Sequence, residues 1–217
     1  MRKNRTKINF SLETIKRLGL YLRGLRHLKK LKVDIISSDK ITEFLNITPE
    51  QFRKDLSYFG GFGKRGVGYN VQKLIKEIEK ILGVDKEWKV AMIGAGKLGS
   101  ALLGFQGFSN SNIHIVYAFD NARDKIGKIR RGVKIQDVKL MKEIIRENNI
   151  KIAIISTPPE VAQKIAEELI SSGIKGILNF APVDLQIPKG IIVSNVDMSC
   201  ELEGLIFFAK KEYLNKR

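Results

Sequence analysis

The sequence predicts an α/β protein with two domains, a small helical domain at the N-terminus and a larger one built on a parallel sheet. Three observations indicate this: short amphipathic helices come first, a glycine-rich turn follows a buried strand near residue 94, and strands then alternate with helices. The predicted boundaries are 1–86 and 87–195 for the domains and 196–217 for a C-terminal helix. A chain of 217 residues is long enough for both domains to bury a core.

Positive charge is concentrated in the first domain. Residues 1–86 carry 20 Lys and Arg against 9 Asp and Glu, a net +11, whereas residues 87–217 have a net +5. A basic domain predicts a polyanionic partner such as nucleic acid. No apolar run approaches the roughly 20 residues of a spanning helix, and the basic N-terminus lacks the apolar core of a signal peptide. We therefore expect a cytoplasmic protein without a membrane partner.

Cysteine and histidine are scarce. The single Cys200 excludes an internal disulfide and the multi-cysteine zinc patterns, and His27 and His114 lie far apart in the sequence. We expect no metal site and no histidine-based catalysis, and therefore no catalytic residues.

The first three helices have recognisable starts. Ser11 is the predicted N-cap of a helix whose apolar residues recur at helical spacing as far as Leu25. A shorter helix begins at Ser37 or Ser38 and is expected to carry Ile41, Phe44 and Leu45. Residues 48–51, Thr-Pro-Glu-Gln, have the form of a capping box with proline at the first helical position of the third helix.

The third helix has an apolar stripe and a polar side. Phe52, Leu56 and Phe59 form the stripe, which leaves Arg53, Lys54 and Ser57 outside it. Three short helices with basic residues near the start of the last match a helix-turn-helix, whose recognition helix enters the major groove. The alternative is the solvated face of a helical bundle.

The stretch 60–69 contains five glycines with interleaved aromatic residues. This composition cannot sustain a helix and predicts a tight β-hairpin with Lys64 and Arg65 at its tip. A hairpin after a helix-turn-helix is a winged-helix layout, and cations at the tip could enter the minor groove or bind phosphates. Asn70 then caps a helix that Gly83 ends.

The apolar run that begins at Val90 leads into Gly94-Ala95-Gly96-Lys97-Leu98-Gly99, which has the spacing of a phosphate-binding turn. Gly94 would permit the bend, Gly96 would let backbone approach a pyrophosphate, and Gly99 would let the next helix lie close to the strand. The N-terminus of that helix would hold the phosphates. All six residues are candidate cofactor contacts. The alternative is a βαβ unit whose glycines serve only helix packing.

Asp120 ends a second apolar run, 21 residues after Gly99. A carboxylate there could accept both ribose hydroxyls of an adenosine, which favours NAD over NADP, although Arg123 and Lys125 nearby weaken that preference. The order of strand, glycine turn, helix, strand and acid predicts a dinucleotide site.

The remaining chain alternates in the manner of a doubly wound parallel sheet, in which ligands lie at the strand C-termini near the topological switch point. The loop at Thr157 and Pro158 and the loop at Asn179 and Phe180 are therefore candidates for the nicotinamide end. For Thr157, capping of the next helix is an equally good interpretation.

The last predicted helix, residues 198–214, has an unusually wide apolar surface: Leu202, Leu205, Ile206, Phe207 and Phe208. It either docks on its own sheet or packs on a second subunit. Dimerisation is favoured because a winged helix commonly binds a two-fold operator as a dimer.

Six stretches of the chain resemble the Rex family of redox-sensing transcriptional repressors. They are residues 51–60, 63–71, 94–99, 156–162, 179–185 and 195–204, which extend over almost the entire chain. The resemblance implies a homodimer with a winged helix-turn-helix domain, a Rossmann-type domain for NADH and NAD+, and a C-terminal dimerisation helix exchanged between subunits. It implies a repressor that binds a palindromic double-stranded DNA operator and releases it when NADH binds.

The winged-helix layout predicts where the DNA contacts lie. They would come from the third helix and the hairpin, at Arg53, Lys54, Ser57, Tyr58, Lys64, Arg65 and Gly66. Lys97 departs from the family, which more often has a small polar residue such as Asn there. A cation beside the pyrophosphate should add affinity for both redox forms.

Two other functions remain open from the residues alone. An NAD-dependent oxidoreductase would need a proton donor beside the nicotinamide, but His114 lies within the strand leading to Asp120 and little chain remains for a substrate domain. A sensor of CoA or another nucleotide is the third possibility, since a phosphate turn does not identify the nucleotide.

Overall fold

The computed structural model describes residues 11–64 and 66–214, with side chains as far as residue 211. The chain forms two compact units, Met1–Lys86 and Glu87–Arg217. Arg65, a predicted DNA contact, lies outside the described residues. Among the residues described, no helix has both the length and the apolar character needed to cross a membrane.

Over residues 11–64 and 66–86, the first unit contains four helices and a two-stranded antiparallel ribbon. The helices are α1 (Leu12–Lys30), α2 (Ser38–Glu43), α3 (Pro49–Ser57) and α4 (Val71–Leu82), and the strands are β1 (Ile35–Ile36) and β2 (Tyr69–Asn70). Each helix starts at a side-chain cap, in which an oxygen accepts the backbone N–H three residues on; the caps are Ser11, Ser37, Thr48 and Asn70. The predicted helix starts are confirmed.

The second helix is shorter than expected. It ends at Glu43, so Phe44 is its C-cap and is 62% exposed, and Leu45 lies beyond it. The chain turns at Asn46, which has a left-handed φ of 50°. The expectation that Phe44 and Leu45 belong to this helix was wrong because the turn begins immediately after Glu43.

The core of this unit is built around Phe52 of α3. Its ring packs edge-on against Tyr21 of α1, with the centroids 4.9 Å apart, and against Tyr69 of β2 at 5.4 Å. One buried aromatic residue thus joins α3, α1 and the ribbon.

The stretch 60–69, called the wing below, has fewer paired residues than the predicted hairpin. Strand β2 pairs with β1, and a single antiparallel bridge joins Lys64 to Gly68, with N···O distances of 3.1 and 3.0 Å. Lys64 therefore lies at the base of a tight turn and not at its tip, where it was predicted. Gly68 has φ +94°, and a Cβ there would lie 2.5 Å from the backbone oxygen of Ile36, so glycine lets the wing approach β1.

The second unit, as far as residue 214, is built on a seven-stranded sheet. Its strands are β3 (Trp88–Ile93), β4 (Ile113–Asp120), β5 (Ile129–Arg130), β6 (Val133–Asp137), β7 (Ile152–Ile155), β8 (Gly176–Asn179) and β9 (Ile192–Asn195). The order across the sheet is β5-β6-β4-β3-β7-β8-β9, and all neighbours are parallel except β5 and β6. The six parallel strands have the 3-2-1-4-5-6 order of a Rossmann fold.

Helices cover both faces of this sheet. They are α5 (Lys97–Leu103), α6 (Gln106–Ser109), α7 (Met141–Glu147) and α8 (Pro159–Ser171), with a short 3-10 helix at Val138–Leu140; α9 (Met198–Leu214) follows the last strand. Alternate residues of β3 enter different clusters. Ala91 and Ile93 pack towards α7 and α8, whereas Val90 and Met92 pack towards α5 and α6. The doubly wound prediction is confirmed.

Strand β3 lies at the topological switch point. It is flanked by β4 on one side and β7 on the other, so the loops after β3 and β7 leave the sheet towards opposite faces. A crevice for a ligand is expected at the carboxyl ends of these strands.

Candidate functional site

The three glycines of the turn after β3 have different roles. Gly94 has φ +94°, and a Cβ there would lie 2.6 Å from the backbone oxygen of Ser156. A Cβ on Gly99 would lie 2.1 Å from the oxygen of Gly94, so this glycine brings α5 against the strand end. No atom lies within 4 Å of the Cβ position of Gly96. Packing explains the first and third glycines but not the second, which faces open space.

Helix α5 begins without a side-chain cap. Gly96 is its N-cap and makes no side-chain hydrogen bond, in contrast to the four capped helices of the first unit. The first backbone N–H groups of a helix have no partner within the helix. The turn therefore offers donors suited to the oxygens of a phosphate.

A cavity of about 770 Å³ lies beside this turn. Its walls are the turn itself, the end of β4, the loop after β7 and one side of α8. Its volume falls within the usual range for a small-molecule site. Seven of the predicted cofactor contacts line it: Gly94, Gly96, Lys97, Leu98, Asp120, Thr157 and Pro158.

Asp120 is buried and connects β4 to the turn. Its Oδ2 accepts from the backbone N–H of Ala95 at 2.8 Å and from Lys125 Nζ at 3.0 Å, and its Oδ1 accepts from the backbone N–H of Ala122 at 2.9 Å. Burial alone raises the pKa of Asp120, but these hydrogen bonds outweigh burial and hold the pKa below its usual value. The side chain is therefore an anion at neutral pH.

These contacts correct two expectations. A carboxylate has about four acceptor positions, and three of those of Asp120 are taken by Ala95, Ala122 and Lys125, so it can accept one ribose hydroxyl but not both. The backbone N–H of Ala95 is committed to Asp120 and is not available to a ligand. Like Gly99, Ala95 shapes the turn without lining the cavity.

Thr157 has a buried hydroxyl that forms no hydrogen bond with the described residues. Its Oγ1 is inaccessible to solvent and has no partner among the described residues. The alternative of a helix cap is excluded, because Pro158 is the N-cap of α8 and no side chain caps that helix. An unpaired buried hydroxyl costs about 1–3 kcal/mol. Thr157 also lines the cavity, so a ligand there could pair with this hydroxyl once the side chain turned towards it.

Asn179 does not reach the cavity. Its side chain is completely buried; Nδ2 donates to the backbone oxygens of Ala181 and Val183 and to Asn195 Oδ1, and Oδ1 accepts from the N–H of Ala181. All of its polar atoms are thus used within the protein. Asn179 holds the loop whose Pro182 does line the cavity, so it is a positioning residue and not a contact.

Phe180 was also predicted as a contact and lies elsewhere. It packs with Met92 and Leu178 on the face of the sheet that α5 and α6 cover. Strand β8 ends at Asn179, and Phe180 directly after it turns towards that cluster.

Sequence reasoning missed the part of the cavity wall formed by α8. Val161, Lys164, Ile165 and Glu168 line it. Their spacing of three and four residues is that of one helix face, so it could have been found by asking which side of this helix adjoins the glycine turn.

The other candidate site is the exposed side of α3. This helix buries Phe52, Asp55 and Leu56 and exposes the predicted DNA contacts Arg53, Lys54 and Ser57, with Tyr58 42% exposed just after it. The Ser57 hydroxyl donates to the backbone oxygen of Lys54 at 2.7 Å.

Arg53 is held in place by two neighbours. Its Nη1 donates to Ser38 Oγ at 2.6 Å, and its Nη2 donates to Glu50 Oε1 at 2.8 Å. Ser38 belongs to α2, so the guanidinium spans the turn between the two helices. Its remaining N–H groups can bind a base edge or a phosphate.

A second open cavity, of about 710 Å³, lies between α2, α3 and the wing. It brings together predicted DNA contacts from two elements, Arg53, Ser57, Lys64 and Gly66. Lys54 and Tyr58 lie outside it. The surface is thus formed jointly by α3 and the wing.

Asp55 forms a buried network that the sequence did not reveal. It accepts from Arg17 Nε and Nη2 at 2.6 and 2.8 Å, from the Tyr21 hydroxyl at 2.6 Å and from Gln51 Nε2 at 2.8 Å. Gln51 therefore does not complete the capping box by bonding back to Thr48. The network fixes α3 to α1.

Electrostatics within this network favour the ionised pair. Burial raises the pKa of Asp55, but hydrogen bonds from Arg17, Tyr21 and Gln51 together lower it by more than burial raises it. The pKa of Asp55 therefore lies below its usual value. The pKa of Arg17 is raised, chiefly by its hydrogen bonds to Asp55, and burial raises that of Tyr21.

A winged helix-turn-helix unit together with a Rossmann unit that has a ligand-sized cavity at its switch point is the architecture of a nucleotide-responsive transcriptional regulator. Two family models match the chain, one described as CoA binding domain over residues 85–183 and one as "Putative DNA-binding protein N-terminus" over residues 9–57.

Known relatives define the family. The redox-sensing transcriptional repressor Rex of Roseiflexus sp. (strain RS-1) is 41% identical over 203 residues, covering 94% of this chain and 92% of the relative. The repressor Rex of Desulfitobacterium hafniense (strain DSM 10664 / DCB-2) is 45% identical over 194 residues, covering 89% and 92%. The chain belongs to the Rex family of redox-sensing transcriptional repressors, as the resemblance in its sequence indicated.

Solved structures agree with this assignment. The crystal structure of RSP in complex with beta-NAD+ and operator DNA is 38% identical, covers 97% of both chains and has a TM-score of 0.90. RSP in complex with beta-NADH is 37% identical, covers 97% of this chain and 99% of RSP, and has a TM-score of 0.86. The predicted fold class is confirmed.

Proposed function

We propose that the chain is a DNA-binding repressor that senses the ratio of NADH to NAD+. It binds a palindromic operator as a homodimer and releases it when NADH binds. The observation that carries this proposal is the similarity across both units to RSP, which was solved with beta-NAD+ and operator DNA and separately with beta-NADH. The cytoplasm, where a chromosomal operator is accessible, is its proposed location.

The cavity beside the glycine turn fits NAD(H). The uncapped turn from Gly96 to Leu98 would hold the pyrophosphate, Lys97 would add a positive charge there, and Asp120 would accept from the adenosine ribose. The nicotinamide end would lie at the Thr157 loop, where a carboxamide could satisfy the unpaired hydroxyl. CoA is the second candidate because of the description of the matching family model, and a titration with CoA separates the two.

Redox sensing requires groups near the nicotinamide ring. NAD+ and NADH differ by one hydride and a positive charge on that ring, so only neighbouring residues can distinguish them. Shifting a dimer from 99:1 to 1:99 between two states takes about 5.5 kcal/mol of differential binding, which two sites can share. We place the switch in the Thr157 loop and in the adjoining Ala181–Val183 loop that Asn179 holds.

We propose that the chain catalyses no reaction. Its relatives are named transcriptional repressors. In the cavity, Asp120 is engaged by three donors and has a lowered pKa, which makes it a poor proton donor for hydride chemistry.

Residues 196–217 are the proposed dimerisation segment. Every residue of α9 whose side chain is described is exposed, including six large apolar residues that are 56–67% exposed: Met198, Leu202, Leu205, Ile206, Phe207 and Phe208. An apolar surface of this size calls for a partner. A second copy of the chain fits the two-fold symmetry of a palindromic operator.

Replacing Leu205 and Ile206 together by Asp is expected to give a monomer at micromolar concentration, because two charges cannot be buried in an apolar interface. Sedimentation velocity measures the change. Lys210→Asp on the same helix is the control and should leave the dimer intact. A double variant that remains dimeric would show that this surface is not the interface.

Arg53→Ala is expected to cost about 1–3 kcal/mol in operator binding and to relax the preference at one base pair. Lys64→Ala should instead weaken binding to all sequences alike and flatten the salt dependence, as expected for a phosphate contact. Binding to a panel of single-base operator variants at several salt concentrations measures both. Equal loss on every duplex for Arg53→Ala would make it a phosphate contact.

The proposed function is tested by selecting a duplex from a random library with the full chain and titrating the complex with NADH or NAD+ at fixed salt. Release by NADH with little effect of NAD+ is expected. Specific binding that neither dinucleotide changes would overturn the redox role, and failure to select any sequence would overturn the repressor function.

A further inference from the structure

An ion pair lies at the adenosine end of the cavity. Lys125 Nζ donates to Asp120 Oδ2 at 3.0 Å, and the two side chains are 28% and 6% exposed. Both residues line the cavity. The pair therefore faces the place where the adenosine ribose would lie under the proposed function.

The carboxylate alone does not suffice for a ribose. The backbone N–H groups of Ala95 and Ala122 and the ammonium of Lys125 occupy three of the four acceptor positions of Asp120. A ribose presents two hydroxyls, and one acceptor position remains. The second hydroxyl needs another partner.

Lys125 can supply that partner. Its ammonium has three N–H donors, of which one is directed to Asp120. Lys125 lines the cavity and more than a quarter of its side chain is exposed, so a ligand can approach this side chain. Arg123, two residues earlier in the same loop, is exposed and does not line the cavity.

We propose that Lys125 binds the adenosine ribose together with Asp120 and sets how strongly the site distinguishes NADH from NADPH. This inference rests on the proposed NAD(H) site. A lone carboxylate repels the 2′-phosphate of NADPH, whereas the pair of Asp120 and Lys125 has almost no net charge and offers the phosphate a cation. The site therefore discriminates against NADPH less strongly than one with an unpaired acid.

The test compares the dissociation constants of NADH and NADPH for the full chain and three variants, measured by titration calorimetry. Lys125→Met keeps the length of the side chain and removes its donors. We expect it to weaken the binding of NADH by about threefold to tenfold and the binding of NADPH by about tenfold to 100-fold. The loss is larger for NADPH because a hydrogen bond to its charged 2′-phosphate is worth more than one to the neutral hydroxyl of NADH. The dissociation constant of NADPH divided by that of NADH should therefore rise about tenfold.

Two further variants separate binding from structure. Arg123→Met removes a positive charge from the same loop and should change both constants by less than about twofold, as for an exposed charge. Lys125→Arg retains a cation and should restore NADPH binding to within about fivefold of the unchanged chain. This rescue would show that charge, not loop folding, controls the selectivity.

Equal weakening of NADH and NADPH by Lys125→Met would overturn the inference and leave Lys125 as a residue that only holds Asp120. No change in either constant would place Lys125 outside the site. If the unchanged chain bound neither dinucleotide, the proposed NAD(H) site itself would be wrong and the inference would fall with it. Weakening of both dinucleotides by Lys125→Met, with the larger loss for NADPH, is the result that supports it.

Discussion

Asp55→Ala is expected to lower the free energy of unfolding of the first unit by about 3–5 kcal/mol, the largest stability effect predicted for this chain. The substitution removes four hydrogen bonds and leaves the guanidinium of Arg17 and the hydroxyl of Tyr21 without their anionic partner. Because Arg17 is 27% exposed, water can reach it, which favours the lower part of that range. Hydrogen exchange measured by mass spectrometry reports the two units separately and is the suitable measurement.

The matched control is Glu13→Ala. Glu13 pairs with Lys16 on the surface of α1, where the two side chains are 67% and 55% exposed, and should contribute less than about 1 kcal/mol. Similar losses of protection in both variants would contradict the network's role. Operator binding of Asp55→Ala should fall as well, since Arg53 and Lys54 lie on the helix that Asp55 fixes.

The same network predicts acid sensitivity. The pKa of Asp55 is lower in the folded chain than in the unfolded one, so the folded state binds fewer protons. Its stabilisation is present above the ordinary aspartate pKa of about 4 and is lost as the pH falls through the lowered folded value. Asp55→Asn should remove this part of the pH dependence.

Gly99→Ala is expected to weaken NADH binding by more than about 100-fold, because the turn has no room for the added carbon. A Cβ at Gly99 would lie 2.1 Å from the oxygen of Gly94 and 2.9 Å from Ser156 Oγ, so α5 would have to move away from β3. The N–H groups at the start of α5 would move with it. Calorimetric titration with NADH, together with a thermal unfolding scan, measures both consequences.

Gly96→Ala tests whether the absence of a side chain at this position serves ligand binding and not protein packing. Its Cβ would meet no protein atom within 4 Å, and its φ of −70° suits alanine. Stability should be unchanged while NADH binding falls, because the methyl group would occupy the path of the pyrophosphate. Unchanged NADH binding would show that the pyrophosphate does not approach Gly96.

Much of the fold could be predicted because its signals are local. Thr48 and Gly83 mark helix ends by their own chemistry, and the glycine spacing at residues 94–99 is a local signature of one strand, turn and helix. Likewise, the apolar strands of the second unit are continuous in the sequence. Helix α3 and the glycine turn before α5 followed from these signals.

The rest depends on contacts between residues distant in sequence. Asp55 appears in the sequence as one more charged residue of a surface helix, and only the approach of Arg17, 38 positions earlier, explains its burial. Asn179 was predicted to contact the cofactor because of its place at a strand end, but its partners Ala181, Val183 and Asn195 determine its orientation. The wing was overestimated because glycine content predicts a turn without fixing the number of paired residues.

Under the proposed function NADH and operator DNA exclude each other, and a linkage measurement tests this exclusion. The dissociation constant of NADH is measured with and without saturating operator duplex, and that of the duplex with and without saturating NADH. Both constants should rise by the same factor, at least about 100-fold, since coupling between two sites is reciprocal. NADH binding that is equally tight on the free and the DNA-bound protein would contradict the account.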